Sequence, residues 1–455
     1  MHWRKGGGPL TKTVRLGRSG VKGHTGLTWT GRHIERLKSL PVLREAGLYI
    51  VINGIASLFP LVVLPAVTRT VAPADYGTYS IFLVGVTMLM PLVGLGMETA
   101  AGRRYVDRDS IDYPAYIATA LAMTVVLSGA VYGLLILAAP ALTAVTPIPI
   151  MWFWAWVLVA AAQTVSGLVL VMNQMANRPG AFGWWRIGRA AAVNGLMLVF
   201  VLAGLTGWAD LIVVLVAAHG AVAVLGLIWL WRVRLVAVRL RLGHLTHLVA
   251  FGAPLIPHMI GAALITATDR ILLVNLIDEG AAGIYTVGYQ MGQAIFLLSQ
   301  SVNRAWTPWF YRQMSDGSHA AARQSVITGY WVAGGYIGAG LAYAAVGWFA
   351  LPVLFGPVYA TSTGVFVWIV AAFVAQGLWA LVASYLYYRE ATGWISISSF
   401  GAAVLNVGFS YLLIQANGMI GAAQGTFAAY SIGCVVIIAV TVKKSALPWT
   451  LKPSI

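Results

Sequence analysis

The chain has 455 residues, 59% hydrophobic and only 9% charged, where a soluble domain carries roughly a quarter charged residues. A bilayer crossing takes roughly 20 apolar residues. About a dozen such runs fill the 410 residues after the polar first 45, roughly 34 residues for each run and its connection. No room is left for a folded extramembrane domain, which excludes a soluble enzyme, a secreted scaffold and a receptor with a large ectodomain.

Apolar runs between polar breaks predict helices over 46–67, 79–99, 114–138, 151–172, 186–205, 209–231, 251–276, 283–303, 327–351, 363–388, 394–414 and 420–441. Alternate connections then collect the basic residues. The first 45 residues hold ten Lys and Arg, from Arg4 to Arg44, against Glu35 and Glu45. Arg103, Arg104 and Arg108 fall in the second connection, and Arg178, Arg186 and Arg189 in the fourth. The sixth takes Arg232, Arg234, Arg239 and Arg241, and the eighth Arg304, Arg312 and Arg323. Arg389 lies in the tenth, and Lys443, Lys444 and Lys452 in the C-terminal tail. Of 29 basic residues only Arg69 and Arg270 fall on the other side. Positive charge stays inside, so twelve spans with both termini cytoplasmic are expected. The net charge of +16 then reports orientation, and no nucleic-acid partner is expected. The tail lacks an apolar stretch and reads as a cytoplasmic segment leaning on anionic lipid, not a signal peptide.

The chain matches itself weakly at an offset of 206 residues: Gly77-Thr78-Tyr79 falls on Gly283-Ile284-Tyr285, and Tyr105 on Tyr311. Six helices separate the halves, so both have the same topology. The expected fold is an all-α multi-pass membrane protein of about twelve transmembrane helices, in two pseudo-symmetric six-helix bundles around a central cavity. Its expected layout is a basic tail over 1–45, bundles over 46–232 and 251–441, a basic linker over 233–250 and a tail over 442–455.

Arginine within a membrane is costly and usually faces a bundle interior or a watery cavity. Arg69 ends helix 1, and Arg270 lies beside Asp269 about two turns before the end of helix 7. Guanidinium chelates phosphate bidentately, so both are candidates to bind a pyrophosphate or acidic-sugar ligand. Tyr289, Gln293, Gln300 and Asn303, with Arg304 at the inner end, form a polar stripe on helix 8 that suits either sugar hydroxyls or interhelical hydrogen bonds. Asn53, Ser57 and His258 are candidates to line the same cavity. The pairs Gly129/Gly133, Gly288/Gly292 and Gly421/Gly425 have close-packing spacing. Pro60 and Pro65 in helix 1, with Pro254 and Pro257 in helix 7, mark bending points. The lone cysteine, Cys434, permits no intrachain disulfide and reads as a buried hydrophobe. There is no GxxxxGK[ST] phosphate loop and no metal-ligand spacing, so no cofactor, no metal and no enzymatic activity are expected.

The segments Leu58-Phe59-Pro60 through Pro65-Ala66-Val67-Thr68-Arg69 and Pro73-Ala74-Asp75-Tyr76-Gly77-Thr78-Tyr79 resemble the opening of bacterial polysaccharide-biosynthesis flippases. These belong to the multidrug/oligosaccharidyl-lipid/polysaccharide exporter superfamily. Phe251 to His258, Thr268-Asp269-Arg270, Ala282 to Tyr289 and Ala305 to Tyr311 are similar to the family's second half. The resemblance implies an alternating-access flippase in the bacterial plasma (inner) membrane. Its cargo would be an oligosaccharide on polyprenyl pyrophosphate for O-antigen, capsule or exopolysaccharide, with Arg69 and Arg270 on the anionic headgroup. Implied partners are that lipid-linked oligosaccharide, membrane lipids, and the polysaccharide polymerase and assembly proteins. A multidrug or cation antiporter of the same superfamily, and a transferase or non-transporting component of the pathway, remain the alternatives. The long basic N-terminal extension and the absence of an acid in the core of helix 1 depart from related proteins.

Overall fold

The structure is a computed structural model describing residues 41–237, 239–389, 391–445 and 447–449. The predicted tail up to residue 40, Lys452 and the side chains of Arg44, Pro257 and His258 lie outside the described residues. By its contacts the chain divides into residues 1–48 and 49–455. The described part of the first unit is helical, and the site lies in the second.

All regular structure among the described residues is helical, as hydrocarbon demands of a chain that must satisfy its own backbone. In chain order the helices are α1 (Pro41–Thr70), α2 (Pro73–Gly94), α3 (Met97–Tyr105), α4 (Tyr113–Leu137), α5 (Ala139–Val145), α6 (Phe153–Met175) and α7 (Pro179–Leu202). There follow α8 (Trp208–Arg232), α9 (Leu242–Gly252), α10 (Ile256–Leu276), α11 (Glu279–Asp316), α12 (His319–Phe355), α13 (Ser362–Tyr388) and α14 (Thr392–Lys444). Proline sits in the first turn of α2, α4 and α7, where its missing N–H costs nothing. The side chains of Asp112, Asp278 and Ser318 cap α4, α11 and α12.

Nine helices among the described residues are long and apolar enough to cross a membrane. The last bends at Gly418, whose φ of 60° breaks it into two arms. With α10 and the more polar α11, helix occupies all twelve predicted segments, and the protein is a multi-pass membrane protein. Trp184, Trp231, Leu137 and Phe349 are more than two-thirds exposed, as side chains facing lipid would be.

Three expectations need correction. Predicted helix 2 is α2 and α3, separated by Leu95 and Gly96, both with positive φ. Pro254 lies in a 3₁₀ turn and Pro257 in the first turn of α10, so they begin that helix instead of bending it; Pro60 and Pro65 do lie inside α1. A Cβ at Gly129 or Gly133 would meet nothing within 4 Å, so that pair is not a packing contact. Gly288 and Gly292 lie against Val365 and Ile369, while Gly421 and Gly425 close the bend of α14 against Leu413 and Ser410.

Helices α1–α8 form a first bundle and α10–α14 a second. They share one apolar core near the end carrying Arg69, which joins Val63, Leu64 and Tyr76 to Tyr285, Phe355 and Phe366. Towards the opposite, Arg-rich end the core separates. Met97, Tyr113 and Leu168 belong to one cluster, and Trp306, Phe310 and Leu386 to another. The bundles thus share one core at the Arg69 end, while towards the basic end their cores are separate and the start of α10, through Leu255 and Ile256, lies against the first bundle.

The 206-residue offset describes the meeting itself. Gly77 is pressed on the Glu279 carbonyl and Gly283 on the Pro73 carbonyl, each too close to admit a Cβ. These four residues are two pairs related by the same offset. Arg69 donates through Nε to the Leu354 carbonyl at 3.0 Å and through Nη2 to that of Val353 at 3.1 Å. Its repeat counterpart, Asn275, donates to the Val145 carbonyl at 3.0 Å. Both accepting sites are helix C-termini, α12 and α5, where carbonyls lack helical partners and a cation is favoured. Tyr359 adds a hydrogen bond to the Val71 carbonyl at 3.1 Å.

At the basic end, α9 docks on the first bundle. Arg241 pairs with Asp112 at 2.8 Å. The Arg104 Nε–H donates to His247 Nε2 at 3.1 Å, which leaves Nδ1–H to donate to the Tyr116 hydroxyl at 3.1 Å. Only a neutral imidazole can make this bridge. Burial, then the charges of Arg104, His244 and Arg103, hold the His247 pKa below 6.5. On acidification the unfolded chain therefore takes its proton first, and stability falls as pH drops through 6.5. The unfolding temperature is expected to decline between about pH 8 and about pH 5, and His247→Gln to flatten that decline. An identical pH slope in the variant would place the titration elsewhere.

Candidate cavity at the bundle seam

Arg270 sits where the bundles face each other. Its Nε donates to Thr286 Oγ1 at 3.1 Å, and its guanidinium lies 4.7 Å from the centre of the Tyr289 ring, in cation–π reach. Beside it opens a cavity of about 150 Å³, lined by Ser80, Leu83, Val84 and Thr87 of α2 and by Ala267, Arg270, Thr286 and Gln290 of α10 and α11. Gln290 accepts a hydrogen bond from the Tyr76 hydroxyl at 3.1 Å across the seam. A cation, hydroxyls and an amide thus line one small space contributed by both bundles.

Asp269 turns the other way. It is 2% exposed. Its carboxylate accepts hydrogen bonds from Tyr285 at 2.5 Å, Ser410 at 2.8 Å and Thr426 at 2.7 Å. These three hydroxyls tie α10 to α11 and to both arms of α14. Buried carboxylate oxygens need such donors, so in this conformation Asp269 organises the second bundle behind Arg270.

The helix 8 stripe is only partly brought to the cavity. Tyr289 is buried between Arg270 and Phe373. Gln293, Gln300 and Arg304 are exposed. They continue, in steps of three, seven and four residues, the α11 face on which Thr286 and Gln290 line the cavity. Asn303 is half-buried, with Oδ1 lacking a partner among the described residues. Asn53 donates to the carbonyl of Tyr49 in its own helix at 2.8 Å. Ser57 lines a separate cavity inside the first bundle, and Arg69 serves the closed end.

The sequence reading missed Ser80, Thr87, Thr286 and Gln290. The repeat held a signal for the first and third, because Ser80 and Thr286 stand 206 residues apart and face each other across the seam. It also placed Arg186 and Arg189 in a connection, whereas α7 begins at Pro179. At 1.5 Å per residue they lie about 10 and 15 Å inside the helix. The signal was Asn177-Arg178-Pro179: Asn177 has positive φ and Pro179 opens the helix.

Two repeat-related helical bundles, closed at one end over a polar seam, define a membrane-transporter architecture. The chain belongs to the Polysaccharide biosynthesis protein family, which it matches over residues 42–314. It is similar to the Lsg locus protein 1 of Haemophilus influenzae, with 22% identity over 285 residues, covering 61% of this chain and 68% of that protein. Its fold is that of the lipid II flippase MurJ in an inward closed conformation, with a TM-score of 0.68, 11% identity and 87% of each chain covered. An inward-facing multidrug resistance MATE family transporter of the MOP superfamily shares it too, with a TM-score of 0.63, 13% identity, and 87% of this chain and all of that one covered. The fold is therefore one of transporters and flippases, not of enzymes.

Proposed function

We propose that the protein is a flippase carrying a polyprenyl-pyrophosphate-linked oligosaccharide across the bacterial plasma membrane for surface polysaccharide biosynthesis. The observation that carries this reading is Arg270, set in a polar cavity that both bundles build. In the proposed orientation the basic end is cytoplasmic, and both termini lie on that side. Cargo would enter there, and rocking of the bundles about the seam would expose it to the other leaflet. Arg270 would hold an anionic group, while Gln290, Gln293 and Gln300 meet sugar hydroxyls. The lipid tail would stay in the bilayer. Moving a pyrophosphate and many hydroxyls unaided through hydrocarbon would cost several kcal/mol per desolvated group.

The test is the pool of lipid-linked oligosaccharide in a deletion strain, resolved by leaflet with an impermeant labelling reagent. Complete units are expected to accumulate on the cytoplasmic leaflet and to cross again when the wild-type chain returns. Normal distribution with altered drug sensitivity would instead indicate a multidrug exporter. Units that cross but stay unpolymerised would indicate a later step of the pathway.

A further inference from the structure

A second polar cavity, of about 250 Å³, lies inside the first bundle between α1, α6, α7 and α8. Its polar lining is Ser57, Gln163, Arg186, Arg189, Asn194 and His219. The two arginines stand one helical turn apart on α7, so both guanidiniums reach the same space. The ion pairs formed among the described residues all lie at residues 103–112 and 241. Neither Arg186 nor Arg189 belongs to one. Glu98, pressed on Gly167, acts on Arg189 by charge from beyond ion-pair distance.

Arg186 Nε is buried and has no hydrogen-bond partner among the described residues. A guanidinium so deep is expensive to leave unmatched. Its Nε–H together with one Nη–H is the fork that grips a phosphate or carboxylate side-on. The remaining groups suit an anion bearing hydroxyls. Asn194 donates one of its two Nδ2 hydrogens, and His219 its Nδ1 hydrogen, to backbone carbonyls at 2.8 and 3.0 Å. That leaves the rest of the Asn194 amide, His219 Nε2 and the Gln163 amide to meet hydroxyl groups.

We propose that this cavity is an anion subsite, in which Arg186 and Arg189 together hold a phosphate or a carboxylate of the translocated molecule. The flippase reading supplies the identity of that molecule; the anion site stands on the cavity. The carrier's diphosphate and an acidic sugar of the glycan offer the same oxyanion chemistry, and the experiment separates them.

Purified full-length protein in phosphatidylcholine nanodiscs is titrated with geranylgeranyl diphosphate, and separately with methyl glucuronide and methyl glucoside. Arg186→Gln/Arg189→Gln is compared with Arg186→Lys/Arg189→Lys, which keeps the charges, and with Arg178→Gln, an exposed basic residue just before α7. The glutamine pair should weaken anion binding by on the order of a hundredfold, the lysine pair by about tenfold, and Arg178→Gln should change nothing. Size-exclusion profiles confirm that each variant is folded. Selective loss of diphosphate binding assigns the subsite to the carrier. Loss of a glucuronide-over-glucoside preference assigns it to an acidic sugar. Wild-type affinity in the glutamine pair, equal loss in Arg178→Gln, or no anion bound by the wild type would overturn the proposal. Binding is read without transport, so this failure leaves the leaflet result untouched. A normal leaflet pool in the deletion strain likewise leaves the anion site standing with another cargo.

Discussion

Arg270→Ala is expected to cut translocation by about one to two orders of magnitude while the protein inserts and folds normally. The side chain bonds Thr286 and stacks on Tyr289, but the second bundle is tied together behind it by Asp269 and three hydroxyls. A charge-assisted hydrogen bond contributes roughly 1.5–3 kcal/mol. Loss of one bidentate contact to an anionic group therefore predicts a fall of about tenfold to a hundredfold, at about 1.4 kcal/mol per factor of ten. Arg270→Lys should retain part of the rate, because it keeps the charge and loses the fork. Leaflet-resolved labelling of the lipid-linked pool reads both variants. Export at the wild-type rate in Arg270→Ala would remove Arg270 from the mechanism.

Much of the fold was legible because a hydrocarbon solvent simplifies the code. Every span must be a long apolar helix, and all twelve predicted segments contain one. What depended on exact helix ends was less legible. Counting Arg186 and Arg189 as loop charges kept the alternation of basic connections intact, since the helix they begin to line still starts on the same side. Charge bias reports sidedness; depth is reported by local turn chemistry, here Asn177 and Pro179. The glycine pairs show the same division. Spacing alone could not separate Gly288/Gly292, which meet α13, from Gly129/Gly133, which meet open space.

Partner choice across the seam was the hardest to read, because residues hundreds apart in sequence decide it. Arg69 and Arg270 looked alike as the two exceptions to the charge rule. The structure gives Arg69 the carbonyls ending α12 and gives Arg270 the seam. By the 206-residue repeat the counterpart of Arg69 is Asn275, and both bind a helix end in the opposite bundle. A repeat with few identities thus relates contacts that residue type does not. It relates backbone positions across an axis even where side chains have diverged.

The closest approach on that axis gives the second large effect. Gly283→Ala is expected to open the Arg69 end and stop the transport cycle. The added methyl would overlap the Pro73 carbonyl and come within 2.9 Å of the Gly77 nitrogen. Both are backbone atoms, so no side chain can swing aside, and α2 and α11 must separate. Overpacking of this kind costs about 1–3 kcal/mol. That penalty falls only on the arrangement in which the two helices touch. A differential of that size shifts a two-state equilibrium by roughly 5- to 150-fold. Val71, 3% exposed beside this contact, reports the shift when replaced by cysteine in a Cys434→Ser background. Its labelling by an impermeant maleimide should rise at least about fivefold in Gly283→Ala, and Gly77→Ala should do the same through Glu279. Arg69→Ala removes two hydrogen bonds without adding bulk, so it should raise labelling less than either glycine variant. Unchanged labelling together with wild-type transport in Gly283→Ala would show that the bundles need not meet at these glycines, and that closure of this end depends on other contacts.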